Sequence, residues 1–336
     1  MIYLHVPFCR SFCTYCDFYS EIACKGKDEA AIARWADDVC REIEARRQEI
    51  ESTLDLDTLY IGGGTPSVLP LSVLRRILTV LAEGHPYTEF TIEVNPEDIV
   101  ERGAEYVQGL LDLGVNRISI GIQSLDDRIL KWMNRRHSAD GARQAVRLLQ
   151  GSISPCSSAQ CAVSIDLITG VPGMTMEILE RTVEEVIGWR PEHISAYQLS
   201  IEEGSALARM IERGEVKELD EEACRAQYDY LCRRLAEAGY HHYEISNWAL
   251  PGHEAVHNSA YWTRHPYVGL GPSAHSFIGS RRSWNSQELN GWTSEGEDLT
   301  PEQIHEEEVM LLARTDKGPI PERDWFISDE IIPDLL

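Results

Sequence analysis

Short runs of apolar and β-branched residues alternate along this chain with longer stretches in which apolar side chains recur at helical spacing. The short runs predict six β-strands, at residues 2–6, 58–62, 89–94, 117–121, 162–167 and 193–198. The longer stretches predict helices at 29–49, 72–83, 104–113, 139–150 and 176–189. This regular alternation indicates an α/β protein in which a parallel sheet is covered by helices.

Six consecutive strand–helix units predict a partial (β/α)6 TIM-like barrel rather than a closed barrel of eight strands. We expect this barrel to occupy residues 1–201 and a second region, an extension, to occupy 202–300. Residues 301–336 are expected to begin a smaller, mainly helical C-terminal domain that is cut short. Catalytic and binding groups of such barrels lie at the C-terminal ends of the strands.

Composition narrows the class of protein. The 336 residues are 43% hydrophobic, which is enough for a substantial core. Acidic residues outnumber basic ones by 55 to 31, so the net charge of -24 disfavours nucleic acid as a partner. No apolar run reaches 18 residues and no signal-peptide pattern opens the chain, so we expect a cytoplasmic protein without membrane insertion.

Three cysteines near the start form a C-x3-C-x2-C loop directly after the first predicted strand: Cys9, Cys13 and Cys16. Thiolates are the ligands of iron–sulfur clusters, and three of them leave one iron of a 4Fe-4S cluster open to bind a further ligand. Zinc would require a partner pair that is not evident, and a disulfide would suit a secreted chain. The six scattered cysteines are expected to be packing residues: Cys24, Cys40, Cys156, Cys161, Cys224 and Cys232.

Polar or glycine-rich segments also follow the later strands. The second strand runs into Gly-Gly-Gly-Thr-Pro-Ser at 62–67, where the absence of side chains lets a ligand approach the backbone closely. The next three strand ends carry Glu93, Gln123 and Asp166, and the sixth leads to Ala-Tyr-Gln at 196–198. Five such strand ends in order indicate a binding site at one edge of the sheet.

These segments together resemble a known superfamily. The pattern Y-x-H-x-P-F-C-x3-C-x2-C-D-F at 3–18 resembles the radical S-adenosylmethionine (SAM) superfamily, whose open iron binds SAM for reductive cleavage. With G-G-G-T-P-S, R-x-S-x-G-x-Q-S at 117–124, R-R-H at 135–137 and D-L-I-x-G-x-P-G at 166–173, the chain resembles the oxygen-independent coproporphyrinogen III oxidase family.

The resemblance implies roles for individual residues. Cys9, Cys13 and Cys16 would bind the 4Fe-4S cluster. Arg135 would pair with the SAM carboxylate and Asp166 would accept hydrogen bonds from the ribose. The other residues implied to contact SAM are Tyr3, Gly63, Gly64, Thr65, Glu93, Gln123 and Ala196. The segment 269–277 would close over the adenine side.

Two departures place the chain nearer to the HemW branch, the heme chaperones, than to the true oxidases. Phe18 stands where the oxidases have a further cysteine, and few residues precede the cysteine loop. The segment 257–262 matches the H-N-x2-Y-W signature of that branch, with His257, Asn258, Tyr261 and Trp262. His257 would supply an axial heme ligand, with Tyr261 and Trp262 as an apolar wall.

Read without the family, the same segment is more typical of a hydrogen-bonded core histidine beside two aromatic rings. His241, His242 and His253 are alternative heme ligands.

The resulting hypothesis is a chaperone that binds a 4Fe-4S cluster, SAM and heme and delivers heme to apo-cytochromes or other heme acceptors. The alternative is a radical SAM enzyme that acts on a tetrapyrrole, as an oxidase or methyltransferase, with electrons from a donor such as flavodoxin or ferredoxin. A tRNA-modifying enzyme is disfavoured by the acidic charge.

Overall fold

The computed structural model describes residues 1–22, 28–82, 85–153, 161–202 and 205–336. The strands in chain order are β1 Ile2–Val6, β2 Phe8–Cys9, β3 Glu21–Ile22, β4 Thr58–Gly63, β5 Glu89–Val94, β6 Arg117–Gln123, β7 Ala162–Thr169, β8 His193–Gln198, β9 His241–Glu244, β10 Asn247–Ala249, β11 Val268–Leu270, β12 His275–Ile278, β13 Arg281–Asn285 and β14 Ser294–Asp298.

The helices in chain order are α1 Glu29–Ala45, α2 Arg47–Ser52, α3 Leu71–Ala82, α4 Pro96–Asp112, α5 Asp127–Trp132, α6 Ala139–Ser152, α7 Met176–Trp189, α8 Ala206–Glu212, α9 Glu221–Glu237, α10 Val256–Trp262, α11 Pro301–Leu312 and α12 Ser328–Ile331. Short 3-10 helices cover Pro66–Val68, Glu322–Ile327 and Ile332–Leu335. Within the described ranges, no helix is both long and apolar enough to cross a bilayer.

One nine-stranded sheet organises the molecule, in the order β11-β1-β4-β5-β6-β7-β8-β10-β9. The pairs from β11 to β8 are parallel, whereas β10 pairs antiparallel with both β8 and β9. In the described part of the chain the two edge strands do not pair with each other, so the barrel is open. A separate antiparallel sheet contains β12, β13 and β14.

The predicted α/β architecture is confirmed, and all six predicted strands are present with ends that differ by two residues at most. Two helices differ from the prediction. The helix expected over 29–49 is interrupted at Arg46, whose guanidinium donates to the carbonyl of Gly269 at 2.7 Å. The helix expected from 104 begins at Pro96, because the Asn95 side chain caps it, and it kinks at Gly103.

The region 202–300 contributes more β-structure than its expected role as an extension indicated. It supplies β9, β10 and β11 to the main sheet and all of the three-stranded sheet. Its buried Trp248, Val268 and Leu270 belong to the same apolar core as β1 to β8. A second, small core forms near the C-terminus from Ala313, Ile320, Trp325 and Ile332.

The scattered cysteines are mostly buried, in agreement with packing roles. Cys40, Cys161 and Cys224 are buried and Cys232 is half-buried. Cys24 and Cys156 lie outside the described residues.

Candidate functional site

A cavity of about 1150 Å³ runs along the inside of the open barrel. The three cysteines of the loop line it at the C-terminal ends of the strands. Its wall also includes Arg117 and His193, the first residues of β6 and β8, and His257 of α10. The cavity therefore extends from the mouth of the barrel to the N-terminal ends of its strands, where α10 closes it.

The glycine-rich segment after β4 fixes the backbone of the cysteine loop. The amide of Gly64 donates to the carbonyl of Val6, and that of Thr65 to the carbonyl of Phe8, each at 2.8 Å. A Cβ on Gly64 would lie 2.8 Å from the Phe8 carbonyl oxygen. Glycine is thus required here for close approach of two backbones. Gly63 has a left-handed φ of 106° and lies against the ring of His5.

The three thiols face hydrogen-bond donors and a cation. The Cys9 Sγ lies 3.4 Å from the Thr65 hydroxyl, and Arg135 Nη1 donates to the Cys13 Sγ at 3.5 Å. Burial raises the pKa of the Cys16 thiol to about 12 and also raises that of Cys9. A bound cation would favour deprotonation of these two cysteines, and the nearby donors would stabilise the thiolates that a metal centre needs.

Sulfur spacing distinguishes a cluster from a single ion. Thiolates around one tetrahedral zinc lie about 3.8 Å apart, as follows from Zn–S bonds of about 2.3 Å. Among the described residues, only Cys232, His242 and Glu322 bring three such ligand atoms within 4.8 Å of one another. The three loop thiols do not meet this limit together, as expected of ligands that bind different irons of one cluster.

Two buried carboxyl groups lie in the cavity wall, on β5 and β7. Glu93 accepts hydrogen bonds from the Tyr60 hydroxyl at 2.7 Å and the Gly63 amide at 3.2 Å. Asp166 accepts from the Ser119 hydroxyl at 2.9 Å. Burial raises the pKa of each carboxyl group to about 7, against the lowering effect of these donors. Both groups can therefore accept hydrogen bonds or hold a proton near neutral pH.

Arg135 and Gln123 present unused hydrogen-bonding atoms to the cavity. Arg135 Nη2 donates to the Gly121 carbonyl at 2.7 Å, whereas its buried Nε has no partner among the described residues. The Gln123 Oε1 is likewise buried and unpartnered there, and its backbone is left-handed with φ of 65°. Unpaired buried polar atoms of this kind are typical of a site built for a polar ligand.

Tyr3, Ala196 and the segment 269–277, all expected near SAM, differ in their position relative to the cavity wall. Tyr3 lines the cavity, and its hydroxyl lies 3.1 Å from His5 Nδ1. Ala196 is 3% exposed and packs in the core, while its neighbours Ser195 and Tyr197 line the cavity. The segment 269–277 forms β11 and β12, and none of its residues belongs to the wall that the described residues form. The structure therefore places Ala196 and this segment outside the cavity wall, and their contacts with SAM stay predictions.

The H-N-x2-Y-W segment lies on α10, at the end of the cavity opposite the cysteine loop. Thr58 Oγ1 lies 2.8 Å from His257 Nδ1, and the Tyr261 hydroxyl lies 3.1 Å from its Nε2. The side chain is buried, and burial lowers the pKa of His257 to about 3. Asn258 and Tyr261 line the cavity, whereas Trp262 lies outside the wall formed by the described residues. The segment therefore has the hydrogen-bonded, packed arrangement that the sequence left open.

The alternative histidines do not reach this cavity. Of the described residues that form its wall, none is His241, His242 or His253.

Arg117 is a cavity residue to which the sequence analysis gave no role. Its Nε donates to Glu89 at 3.0 Å and its Nη2 to the carbonyl of His253 at 2.9 Å. The buried Nη1 has no partner within the described ranges. The R-x-S-x-G-x-Q-S motif contains this arginine, and that motif was the only signal for it.

An open α/β barrel with a three-cysteine loop at its strand ends is the architecture of a radical SAM protein. The family model described as the Radical SAM superfamily matches residues 3–186, so the chain belongs to that superfamily. Two relatives are similar over nearly the whole chain. "Heme chaperone HemW" of Mycobacterium tuberculosis is 33% identical over 94% of this chain and 82% of its own length. "Heme chaperone HemW" of Lactococcus lactis is 33% identical over 96% and 83%.

Within the superfamily the chain therefore belongs to the HemW family. Among solved structures, coproporphyrinogen III oxidase (HemN) from Escherichia coli matches with a TM-score of 0.72 and 21% identity. The match covers 92% of this chain and 74% of that one, and it supports the fold.

Superfamily membership implies a 4Fe-4S cluster and SAM as cofactors. The cavity residues fit both groups, with three thiols at the mouth and unpaired polar atoms beside them. When bound, such a cluster supplies the electron for reductive cleavage of SAM. The residues of this chain would hold and orient these two groups. Arg135 offers a cation beside Cys13, and Glu93 and Asp166 offer hydrogen-bond acceptors.

Proposed function

We propose that this protein is a cytoplasmic heme chaperone that binds a 4Fe-4S cluster, SAM and heme and delivers heme to apo-hemoproteins such as respiratory cytochromes. The observation that carries the proposal is the similarity to HemW chaperones over almost the entire chain. Phe18, which is exposed beside the cysteine loop, adds support because it replaces a cysteine expected of the oxidase branch.

For SAM, we assign the polar mouth of the cavity. Arg135 would bind the carboxylate through its unpaired Nε, and Asp166 would accept from the ribose hydroxyls. The remaining residues assigned to SAM are Tyr3, Gly63, Gly64, Thr65, Glu93 and Gln123, all of which line the cavity.

For heme, we assign His257 as an axial ligand. Its Nε2 lies 3.1 Å from the Tyr261 hydroxyl, so ligation of iron by Nε2 requires that this hydrogen bond breaks. The low pKa that burial gives His257 favours the assignment, because a neutral imidazole is the form that binds iron. Asn258, Tyr261 and Trp262 would form the surroundings of the porphyrin.

The test is an anaerobic heme titration followed by the Soret band. We expect the wild-type protein to bind heme, and His257→Ala to lose the shifted band. His257→Gln, which keeps a hydrogen-bonding side chain toward Thr58, separates ligation from misfolding. His85→Ala, a variant at a surface histidine paired with Asp57, is the matched control and should bind normally. Failure of the wild type to bind heme would refute the function; unchanged binding by both His257 variants would refute the ligand.

A radical SAM enzyme acting on a tetrapyrrole is the second candidate, favoured by the polar cavity beside the cysteine loop. It would draw electrons from a donor such as flavodoxin or ferredoxin. An anaerobic assay with dithionite, SAM and coproporphyrinogen III decides between the two, since decarboxylated or methylated product favours the enzyme.

A further inference from the structure

Three side chains of metal-binding type converge outside the cavity, where the C-terminal segment packs against the barrel. They are Cys232 on α9, His242 on β9 and Glu322 at the start of the 3-10 helix Glu322–Ile327. Their ligand atoms all lie within 4.8 Å of one another. His242 Nδ1 is 2.8 Å from the Glu322 carboxylate and 3.9 Å from the Cys232 Sγ.

The imidazole ring is held in one orientation. It stacks on Trp248 with centroids 4.1 Å apart and planes 9° apart, and Trp325 meets it edge-on at 4.6 Å. Its Nε2 lies 3.3 Å from the carbonyl of Ile245 and can donate only to that oxygen. A ring nitrogen that donates to a backbone carbonyl leaves the other nitrogen free to bind a metal, which is the usual arrangement around metal-bound histidine.

This tautomer leaves an electrostatic conflict that a cation would resolve. With the proton on Nε2, the lone pair of Nδ1 faces a carboxylate oxygen at 2.8 Å, so two acceptors oppose each other. A metal ion bound by Nδ1, the carboxylate and the nearby Cys232 Sγ would remove this conflict.

Room exists for a further ligand. A cavity of about 490 Å³ opens beside the cluster and is lined by His242 and Glu322, and by His241 and Asp316 across from them. Zinc binds sulfur, imidazole and carboxylate ligands in tetrahedral sites, and where the protein supplies three of them, as in catalytic zinc sites, water takes the fourth position. The mixture of soft and borderline donors disfavours Mg²⁺ and Ca²⁺, which prefer oxygen.

We propose that Cys232, His242 and Glu322 form a zinc site that fastens the C-terminal segment to α9 and β9. The site is independent of the cysteine loop and of heme. Glu322 lies in the segment that carries the second apolar core, whose Trp325 touches the ring of His242. Binding that favours only the folded state would therefore stabilise the attachment of this segment.

The experiment measures zinc in the full-length protein after anoxic reconstitution of its cluster. We expect stoichiometric zinc in addition to the iron, and loss of that zinc in Cys232→Ser and His242→Gln. Cys161→Ser, at a buried cysteine elsewhere, is the matched control and should keep it. The C9S/C13S/C16S protein should lose iron and keep zinc, which separates the two centres.

Cobalt supplies an independent readout. Co²⁺ bound in place of zinc should give a thiolate charge-transfer band that disappears in Cys232→Ser. Glu322→Gln changes a partly exposed side chain, so it should fold normally and bind zinc more weakly. Absence of zinc and cobalt from the wild type would overturn the proposal and leave an ordinary hydrogen bond between His242 and Glu322. Equal loss of zinc in Cys161→Ser would also overturn it.

Discussion

Replacement of Gly64 by alanine tests whether the glycine-rich segment shapes the cluster site. The added Cβ would lie 2.8 Å from the Phe8 carbonyl oxygen and 2.9 Å from that of Val6. Both are backbone atoms, so no side chain can turn away to relieve the contact. Since non-bonded carbon and oxygen atoms prefer a separation of about 3.5 Å, the glycine-rich segment and the cysteine-loop segment must separate by roughly 0.7 Å.

The expected cost follows from that separation. Overpacking of a tight contact costs about 1–3 kcal/mol. The hydrogen bond from the Gly64 amide to Val6, now 2.8 Å, would lengthen to about 3.5 Å and contribute little, a further loss of about 1 kcal/mol. We therefore expect the free energy of unfolding to fall by about 2–4 kcal/mol. The cysteine loop would be displaced together with Phe8.

The assay is iron and sulfide content after anoxic reconstitution, together with thermal unfolding of the unreconstituted protein. Gly64→Ala should unfold at a lower temperature and retain clearly less iron than the wild type. Gly188→Ala is the matched control, because this helical glycine has open space around the added Cβ and should gain about 0.5–1 kcal/mol. Full iron content and an unchanged unfolding midpoint in Gly64→Ala would refute the reasoning.

Two further predictions concern charge. Burial raises the pKa of Glu93 from 4.5 to about 7, so stability that is present at low pH is lost as the pH rises through that range. Glu93→Gln should remove this loss. Parallel curves of stability against pH for the two proteins would contradict the prediction. Asp98 is fully buried, 3.1 Å from Arg10 and 3.7 Å from Arg136. Its replacement by alanine should lower the free energy of unfolding by about 3–5 kcal/mol. Asp140→Ala, at an exposed carboxylate, should lower the free energy of unfolding by about 0–1 kcal/mol. Equal losses in the Asp98 and Asp140 variants, measured by calorimetry, would show that burial is unimportant.

The sequence predicted the sheet well where strands are long enough to show a pattern. β5 and β8 match the prediction at both ends. By contrast, β10 and β11 are three residues long, and their pairing depends on partners about 50 or more than 200 residues away, Ile194 and Tyr3. No periodicity can be read from three residues, so these strands could be found only from the tertiary structure.

The shared location of the cavity residues could also be predicted from the strands. The C-terminal ends of parallel strands meet at one edge, so Glu93 and Asp166 could be placed together from strand order alone. Ala196 stays a prediction, and strand alternation turns its side chain away from the cavity, because its neighbours Ser195 and Tyr197 take the cavity face. Arg117 was not recognised because a charged residue at the start of a strand is ordinarily exposed, whereas here Glu89 pairs with it in the interior.

The depth of the cavity constrains how the proposed ligands can share one barrel. The cysteine loop lies at its mouth, while His257 contacts Thr58 at the N-terminal end of β4. A strand of six residues spans roughly 20 Å at about 3.3 Å per residue, so the two ends are far apart. A heme held by His257 must therefore displace α10 or enter past the SAM residues. Because α10 is bound through backbone amides to Glu89, its release would remove two donors from the carboxylate that pairs with Arg117. Heme uptake is thus expected to be coupled to this buried ion pair, and not to the cysteine loop alone.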